Sequence, residues 1–334
     1  MSIETTQGYG SAEWQKDEVT SEKALQDLDN FTSEDILKIK NALFEDMEVD
    51  GISAGAQEGH IRQVLAIGHV LANGSGKFDS AKEQELVDLC IMLHDPEKTP
   101  ASFENLFTHA AQAAGNIPIY LKNLDIYGSG HKPLRELVPA DLQQKLANAP
   151  NLALFISKVV ETHSAIPYID NAFRYESLAD AREKGGDYVL PYLVERTTPT
   201  GERYWGLPEP TEDYGKLLRA ADTLSNYGLI PELQVEVKKG EDPTLAKYSG
   251  FIKLLKLEKT GSTSEKILRI KTSSIAAIDA GIYDDFPVAK NAAEQSVVRA
   301  DWLATYFKMH DNATYEEAFS EMEKATKESI TTIG

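Results

Sequence analysis

Apolar positions along this chain recur mostly at three- and four-residue intervals, the spacing that gives a helix one buried face. The first such segment follows Phe31-Thr32-Ser33-Glu34-Asp35, where Thr32 or Ser33 caps a helix with Ile36, Ile39, Leu43 and Phe44 on its apolar side. Two acidic residues in its first turn suit the positive end of the helix dipole. Asp50-Gly51-Ile52-Ser53-Ala54-Gly55 reads as a glycine-rich break, followed by a helix from about Glu58 to Ala72. The next helix runs from about Ser80 to His94, with Leu86, Leu89, Cys90 and Leu93 on one face, and stops at Pro96. Further helices are predicted at about 101–114, 139–147, 150–162, 213–227, 289–308 and 314–331.

Alternating or continuous apolar runs mark the exceptions. Tyr188–Val194 and Arg203–Trp205 flank Thr197-Thr198-Pro199-Thr200-Gly201, the pattern of a β-hairpin inserted over about 185–208. The aromatic residues Tyr168, Phe173, Tyr175, Tyr192, Tyr204 and Trp205 gather around it. A second strand-like zone covers Leu233–Lys238 and Phe251–Lys271, broken at Thr260-Gly261-Ser262-Thr263. Residues 1–30 are polar with few anchors and read as a flexible arm. The expected fold is therefore mainly α: a helical body over 31–230 carrying the hairpin, then a mixed α/β appendage over 231–334.

Composition narrows the function. The 334 residues, 42% hydrophobic and 26% charged, have the balance of a soluble globular chain. Cys90 is the single cysteine, which excludes a disulfide scaffold and any multi-cysteine zinc site. Lys+Arg 34 against Asp+Glu 53 gives a net charge of −19, which argues against a partner of long nucleic acid and leaves a small nucleotide open. No apolar run approaches the ~20 residues needed to cross a bilayer, and Met1–Glu18 lacks the basic-then-apolar order of a leader. The expectation is a soluble cytoplasmic protein without a membrane partner, with leaderless secretion as the alternative.

The chemistry lies in the histidines. His94-Asp95 ends an apolar helix within Leu93-His94-Asp95-Pro96-Glu97-Lys98-Thr99-Pro100, where an imidazole and a carboxylate converge on a divalent ion or, in the plainer reading, cap the helix. His60 opens the segment His60-Ile61-Arg62-Gln63-Val64, 34 residues upstream. Asp222 lies on an apolar helix face between Leu218 and Leu224, where an unpartnered carboxylate costs several kcal/mol and calls for a metal or a cation. His69 is out of phase with His60 and reads as a packing residue. His310-Asp311 reads as a helix cap. Gly74-Ser75-Gly76-Lys77 lacks the first glycine and the Ser/Thr of a phosphate loop and reads as a turn.

His60, His94-Asp95 and Asp222, within His-Ile-Arg-Gln-Val, Leu-His-Asp-Pro-Glu-Lys-Thr-Pro and Ala-Ala-Asp-Thr-Leu, resemble the HD superfamily of metal-dependent phosphohydrolases and phosphodiesterases over roughly residues 55–230. The resemblance implies an HD-domain-like helical bundle in which His60, His94, Asp95 and Asp222 hold one divalent ion. His131 and His163, 32 residues apart, are the candidate ligands of a second. Mn, Mg, Fe, Ni, Co and Zn are all open as the metal. It further implies hydrolysis of a phosphoester, with a nucleotide or nucleotide-derived compound as the small phosphorylated substrate. Lys98, with Arg62 and Arg219, would neutralise phosphate charge, and Glu97 or His109 would assist proton transfer. Glu97 stands where the family usually carries glycine. Two rival readings accompany this one. The first is an HD-type di-iron oxygenase. The second is a binding protein with a vestigial metal site and a protein partner on residues 231–334.

Overall fold

The computed structural model describes residues 19–48, 51–94, 103–123, 133–163, 175–185, 190, 193–197, 201–206, 208–237 and 240–331. In chain order the helices are α1 (Ser21–Leu28), α2 (Ser33–Glu48), α3 (Gly51–Ser75), α4 (Ala81–Met92), α5 (Phe103–Asn123), α6 (Leu134–Leu137), α7 (Ala140–Ala147), α8 (Pro150–Glu161) and α9 (Leu178–Gly185). After the strands β1 (Val194–Thr197) and β2 (Arg203–Gly206) come α10 (Asp213–Tyr227), α11 (Pro243–Lys247), α12 (Ser249–Leu257), α13 (Thr263–Asp279), α14 (Pro287–Met309) and α15 (Tyr315–Thr331). Mainly-α architecture is thus as expected. Among the described residues the sheet is one antiparallel hairpin, in register from Val194 opposite Gly206 to Thr197 opposite Arg203. Tyr175 adds a bridge to Trp205 at its edge. Tyr168, Phe173 and Tyr192 lie outside the described residues.

Local chemistry sets the helix ends. Ser80 and Glu83 form a capping box at the start of α4, and Ser262 and Glu265 form another at the start of α13. Thr32 and Asp35 cap α2 reciprocally, with backbone-to-side-chain distances of 2.9 and 3.2 Å. The first amides of α8 are satisfied from outside: Asn151 N and Leu152 N donate to Asp27 Oδ2 at 2.7 and 3.0 Å. Close approach of α3 and α4 depends on Gly68, where a Cβ would lie 2.5 Å from Ile91 Cδ1.

Several expectations need correction. The arm expected over residues 1–30 does not extend through its last part, because Ser21–Leu28 is a helix that buries Ala24 and Leu28 completely and lends Asp27 to α8. Residues 1–18 lie outside the described residues. The glycine-rich break is instead the first turn of α3, which begins at Gly51. Here the ~1 kcal/mol that each glycine costs a helix is outweighed by the rest of a 25-residue element. Helix α5 continues past 114 and through Pro118 to Asn123.

The strand-like zone at 251–271 is a helix, a turn and a helix. Its buried residues Phe251, Ile252, Leu255, Ile267 and Ile270 follow three- and four-residue steps. Residues 233–237 have no regular structure. Among the described residues the C-terminal region is therefore helical, not mixed α/β.

This region is also woven into the rest. The larger core cluster joins residues of α1–α8 and α10 with Ala277, Ile282, Tyr283, Phe286, Ala289 and Ala293. A smaller cluster, including Tyr248, Phe251, Leu303, Phe307 and Phe319, is built around α12, α14 and α15. Tyr248 and Phe319 stack at 4.6 Å within it. No helix among the described residues is long and apolar enough to cross a membrane.

Candidate metal centre

Two helix ends meet at the site with the same local design. His94 lies just beyond α4, and its Nδ1 is 2.6 Å from Ile91 O. His163 lies just beyond α8, and its Nδ1 is 2.7 Å from Val160 O. A carbonyl only accepts, so each ring carries its proton on Nδ1 and presents a lone pair at Nε2. Each imidazole therefore caps its helix and still offers a ligand atom, so capping does not compete with a role as ligand. Both carboxyl ends of the helices bring the negative pole of their dipoles to this place.

His60, on α3, is locked in the same tautomer by another route. Ser225 Oγ donates to Asp222 O at 2.7 Å, which leaves the oxygen to accept from His60 Nδ1 at 3.2 Å. The His60 lone pair at Nε2 then faces Asp222 Oδ1 at 3.1 Å, and His94 Nε2 is 3.8 Å from that oxygen. Asn226 Nδ2 steadies the carboxylate at 3.2 Å and the Asp222 carbonyl at 2.9 Å. His60, His94 and Asp222 form a buried group able to hold a metal ion, their ligand atoms all within 4.8 Å of one another. Two lone pairs converging on a carboxylate repel unless a cation stands among them, so these donors fit a divalent ion.

The histidines continue beyond this triad. The His94 ring meets His60 at 5.5 Å between centroids and His163, edge-on, at 4.9 Å. His109 on α5 meets His163 at 5.1 Å. All four are buried, with His94 and His163 fully enclosed. His109, a structural residue or a candidate for proton transfer from the sequence, thus stands in one row with the other three. His131, Asp95, Glu97 and Lys98 lie outside the described residues.

The two arginines differ in setting. Arg219 is 9% exposed, one turn before Asp222 on α10. Arg62 is engaged elsewhere: it contacts Glu58 through Nε and Nη2 at 2.9 and 2.8 Å, meets Glu236 at 2.9 Å, and lies over the Phe44 ring.

Ser225, Asn226 and Tyr283 are neighbours of the triad that no sequence pattern singles out. Tyr283 is buried without a hydrogen-bond partner for its hydroxyl among the described residues. Burial, with Tyr227 and Asp222 nearby, pushes its phenol up, so it stays protonated.

His69 corrects its expectation as a packing residue. It is half exposed and pairs through Nε2 with Asp88 Oδ1 at 2.5 Å, while Lys40 takes the other oxygen. Burial alone would raise the Asp88 carboxyl, but His69 and Lys40 together hold it low. His310 caps α14 as expected, its ring against Tyr306. The segment at 74–77 closes α3, and Lys77 pairs with Asp213 at 2.9 Å.

Comparison of the chain with protein-family models, with curated proteins and with solved structures finds no significant match.

Proposed function

We propose that this protein is a metal-dependent hydrolase of a phosphoester, acting on a nucleotide or nucleotide-derived substrate from an HD-type helical scaffold. The observation that carries the reading is the convergence of the Nε2 atoms of His60 and His94 on Asp222, each imidazole held in the tautomer that ligates. In this reading His60, His94 and Asp222 hold the ion, and Asp95, adjacent to His94, supplies a further carboxylate.

An ion held by these residues would supply Lewis-acid polarisation of a phosphoryl oxygen and a water ionised near neutral pH. The chain's own part is to orient the ligands through Ile91 O and Ser225 Oγ, to exclude bulk water by burying the imidazoles, and to offset phosphate charge with Lys98 and Arg219. The two imidazoles of the donor set favour Fe, Co, Ni or Zn over Mg.

The test is elemental analysis of wild type, His60→Ala and Asp222→Ala purified without chelator, followed by hydrolysis of bis-p-nitrophenyl phosphate with each metal. The expected result is one or two ions per wild-type chain, loss of metal in both variants, and turnover that needs metal and is lost with it. A wild-type chain that neither carries nor takes up metal would refute the reading.

A second reading is favoured by the run His94, His163, His109. In that reading His163 and His109 would lend imidazoles to a second ion beside the first, and a di-iron oxygenase uses such a pair. Two irons per chain with substrate-dependent oxygen uptake and no phosphoester turnover would select it.

A further inference from the structure

Ser225 meets the His60 ring at Nδ1, the nitrogen turned away from Asp222, and is fully buried. What holds Ser225 comes from the C-terminal part of the chain. On α3, three residues beyond His60, the buried Gln63 accepts from Gly250 N at 3.0 Å and from Ser249 Oγ at 2.9 Å, and donates to Lys247 O at 2.9 Å. These bonds tie the first turn of α12 to α3, where it lies against the last turn of α10. The contact is backbone to backbone: a Cβ on Gly250 would lie 2.2 Å from Ser225 O and 2.8 Å from its carbonyl carbon, with no flexible side chain to give way.

The same short segment is anchored on its far side. Lys247 Nζ and Tyr248 OH both donate to Glu323 Oε1 of α15, at 2.9 and 3.0 Å. One continuous path of contacts therefore leads from α15 through residues 247–250 to Gln63 and Ser225.

We infer that Ser225 is a positioning residue that presents His60 Nε2 to the metal, and that the segment 247–250 is its buttress. The C-terminal third is then part of the centre's outer support. The inference rests on the metal-binding reading proposed above. A ring released from Ser225 loses the bond that selects its tautomer, and disruption of such outer partners typically weakens metal binding about 10–100-fold.

The test compares wild type with Ser225→Ala, Gly250→Ala, Gln63→Leu and the control Ser274→Ala, using Co2+ titration of the full chain and nitrogen-15 histidine spectra of the metal-free protein. Ser274 is also a buried serine, on α13, but its hydroxyl has no hydrogen-bond partner among the described residues. Ser225→Ala should bind Co2+ about 10–100-fold more weakly. Its metal-free spectrum should show His60 as a mixture of tautomers, where wild type shows the Nδ1-protonated form alone. Gly250→Ala and Gln63→Leu should weaken binding in the same direction, with Gln63→Leu serving if the glycine variant does not fold.

Unchanged affinity and an unchanged His60 tautomer in Ser225→Ala would overturn the assignment, and an unchanged Gln63→Leu would overturn the buttress. If wild type binds no Co2+, the metal reading has failed, and the spectra of the metal-free protein still decide the role of Ser225.

Discussion

Replacing Asp222 by Asn removes one charge at nearly constant volume and separates two accounts of the buried triad. If the site is built for a cation, metal stabilises the folded chain by RT ln(1 + [metal]/Kd), about 2.7 kcal/mol at 100 times Kd. For 334 residues, an unfolding entropy near 2.1 cal/mol/K per residue sums to about 0.7 kcal/mol/K, so Tm rises by about 4 °C. A 100-fold weaker variant at the same metal concentration gains only about 0.4 kcal/mol, less than about 1 °C.

Without metal the difference nearly vanishes. Asp222 Oδ1 lies 3.1 Å from the His60 lone pair, so an amide nitrogen there would donate to His60 but give up the 3.2 Å bond from Asn226 Nδ2. In chelator, Asp222→Asn should therefore melt close to the wild-type temperature. Thermal unfolding followed by circular dichroism at pH 7.5, with chelator and with Zn2+ or Mn2+, measures both effects. A large fall in Tm for the variant in chelator would show that Asp222 serves as the partner of a protonated His60. That result, or an undiminished metal shift in the variant, would refute the reasoning.

Other expectations concern the scaffold. Lys145 and the Thr32 amide hold the Asp35 carboxyl down at about 2, so its contribution is present above about pH 4 and lost as pH falls through 2. Asp35→Asn should be about 1 kcal/mol less stable than wild type at pH 6, and urea titrations should show the gap closing between pH 4 and 2; a gap undiminished at pH 2 would contradict this. Cys90 is fully buried and burial pushes its thiol up, so a thiol reagent should label the native chain only as fast as it unfolds, and stoichiometric labelling within seconds would contradict the packing of α4. Gly68→Ala meets Ile91 Cδ1 at 2.5 Å, a cost of about 1–3 kcal/mol that the ~1 kcal/mol gained by alanine in a helix partly offsets, so denaturant titrations should show a net loss of up to about 2 kcal/mol that shrinks on adding Ile91→Val. An alanine form more stable than wild type by the full ~1 kcal/mol of helix propensity would mean that α3 and α4 do not meet at this point.

The candidate ligands that can be read from the sequence are those whose chemistry is conspicuous among apolar neighbours. Asp222 stands among apolar residues on a buried face of α10, and His94 ends an apolar helix, so both invite explanation. Ser225 and Asn226 look like an ordinary helix end, because their roles depend on His60 and Asp222 rather than on any pattern of their own. His109 is less legible than His163, since no spacing rule tells where α5 turns to meet α8.

The helices α12 and α13 resemble strands in sequence for a physical reason. The seven residues 251–257 carry apolar positions compatible with either period, and the outcome is decided by packing onto Phe319 and the Ser262–Glu265 cap. The capping-or-ligand choice at His94 is open in the sequence because local pattern states only that an imidazole sits at a helix end. The 2.6 Å contact to Ile91 O shows that it caps with one nitrogen and leaves the other for the centre.

The long loop closed by the site has a kinetic consequence. His60 and the serine that orients it are 165 positions apart, so the ligand set exists only after α10 has docked on α3. Closing so distant a contact comes late along most folding routes, and an ion that needs both helices has nothing to grip before then. Metal should accordingly leave the refolding rate almost untouched and act on the return path, slowing escape from the native state. The protein would be loaded after it folds, and the ion would work as a latch.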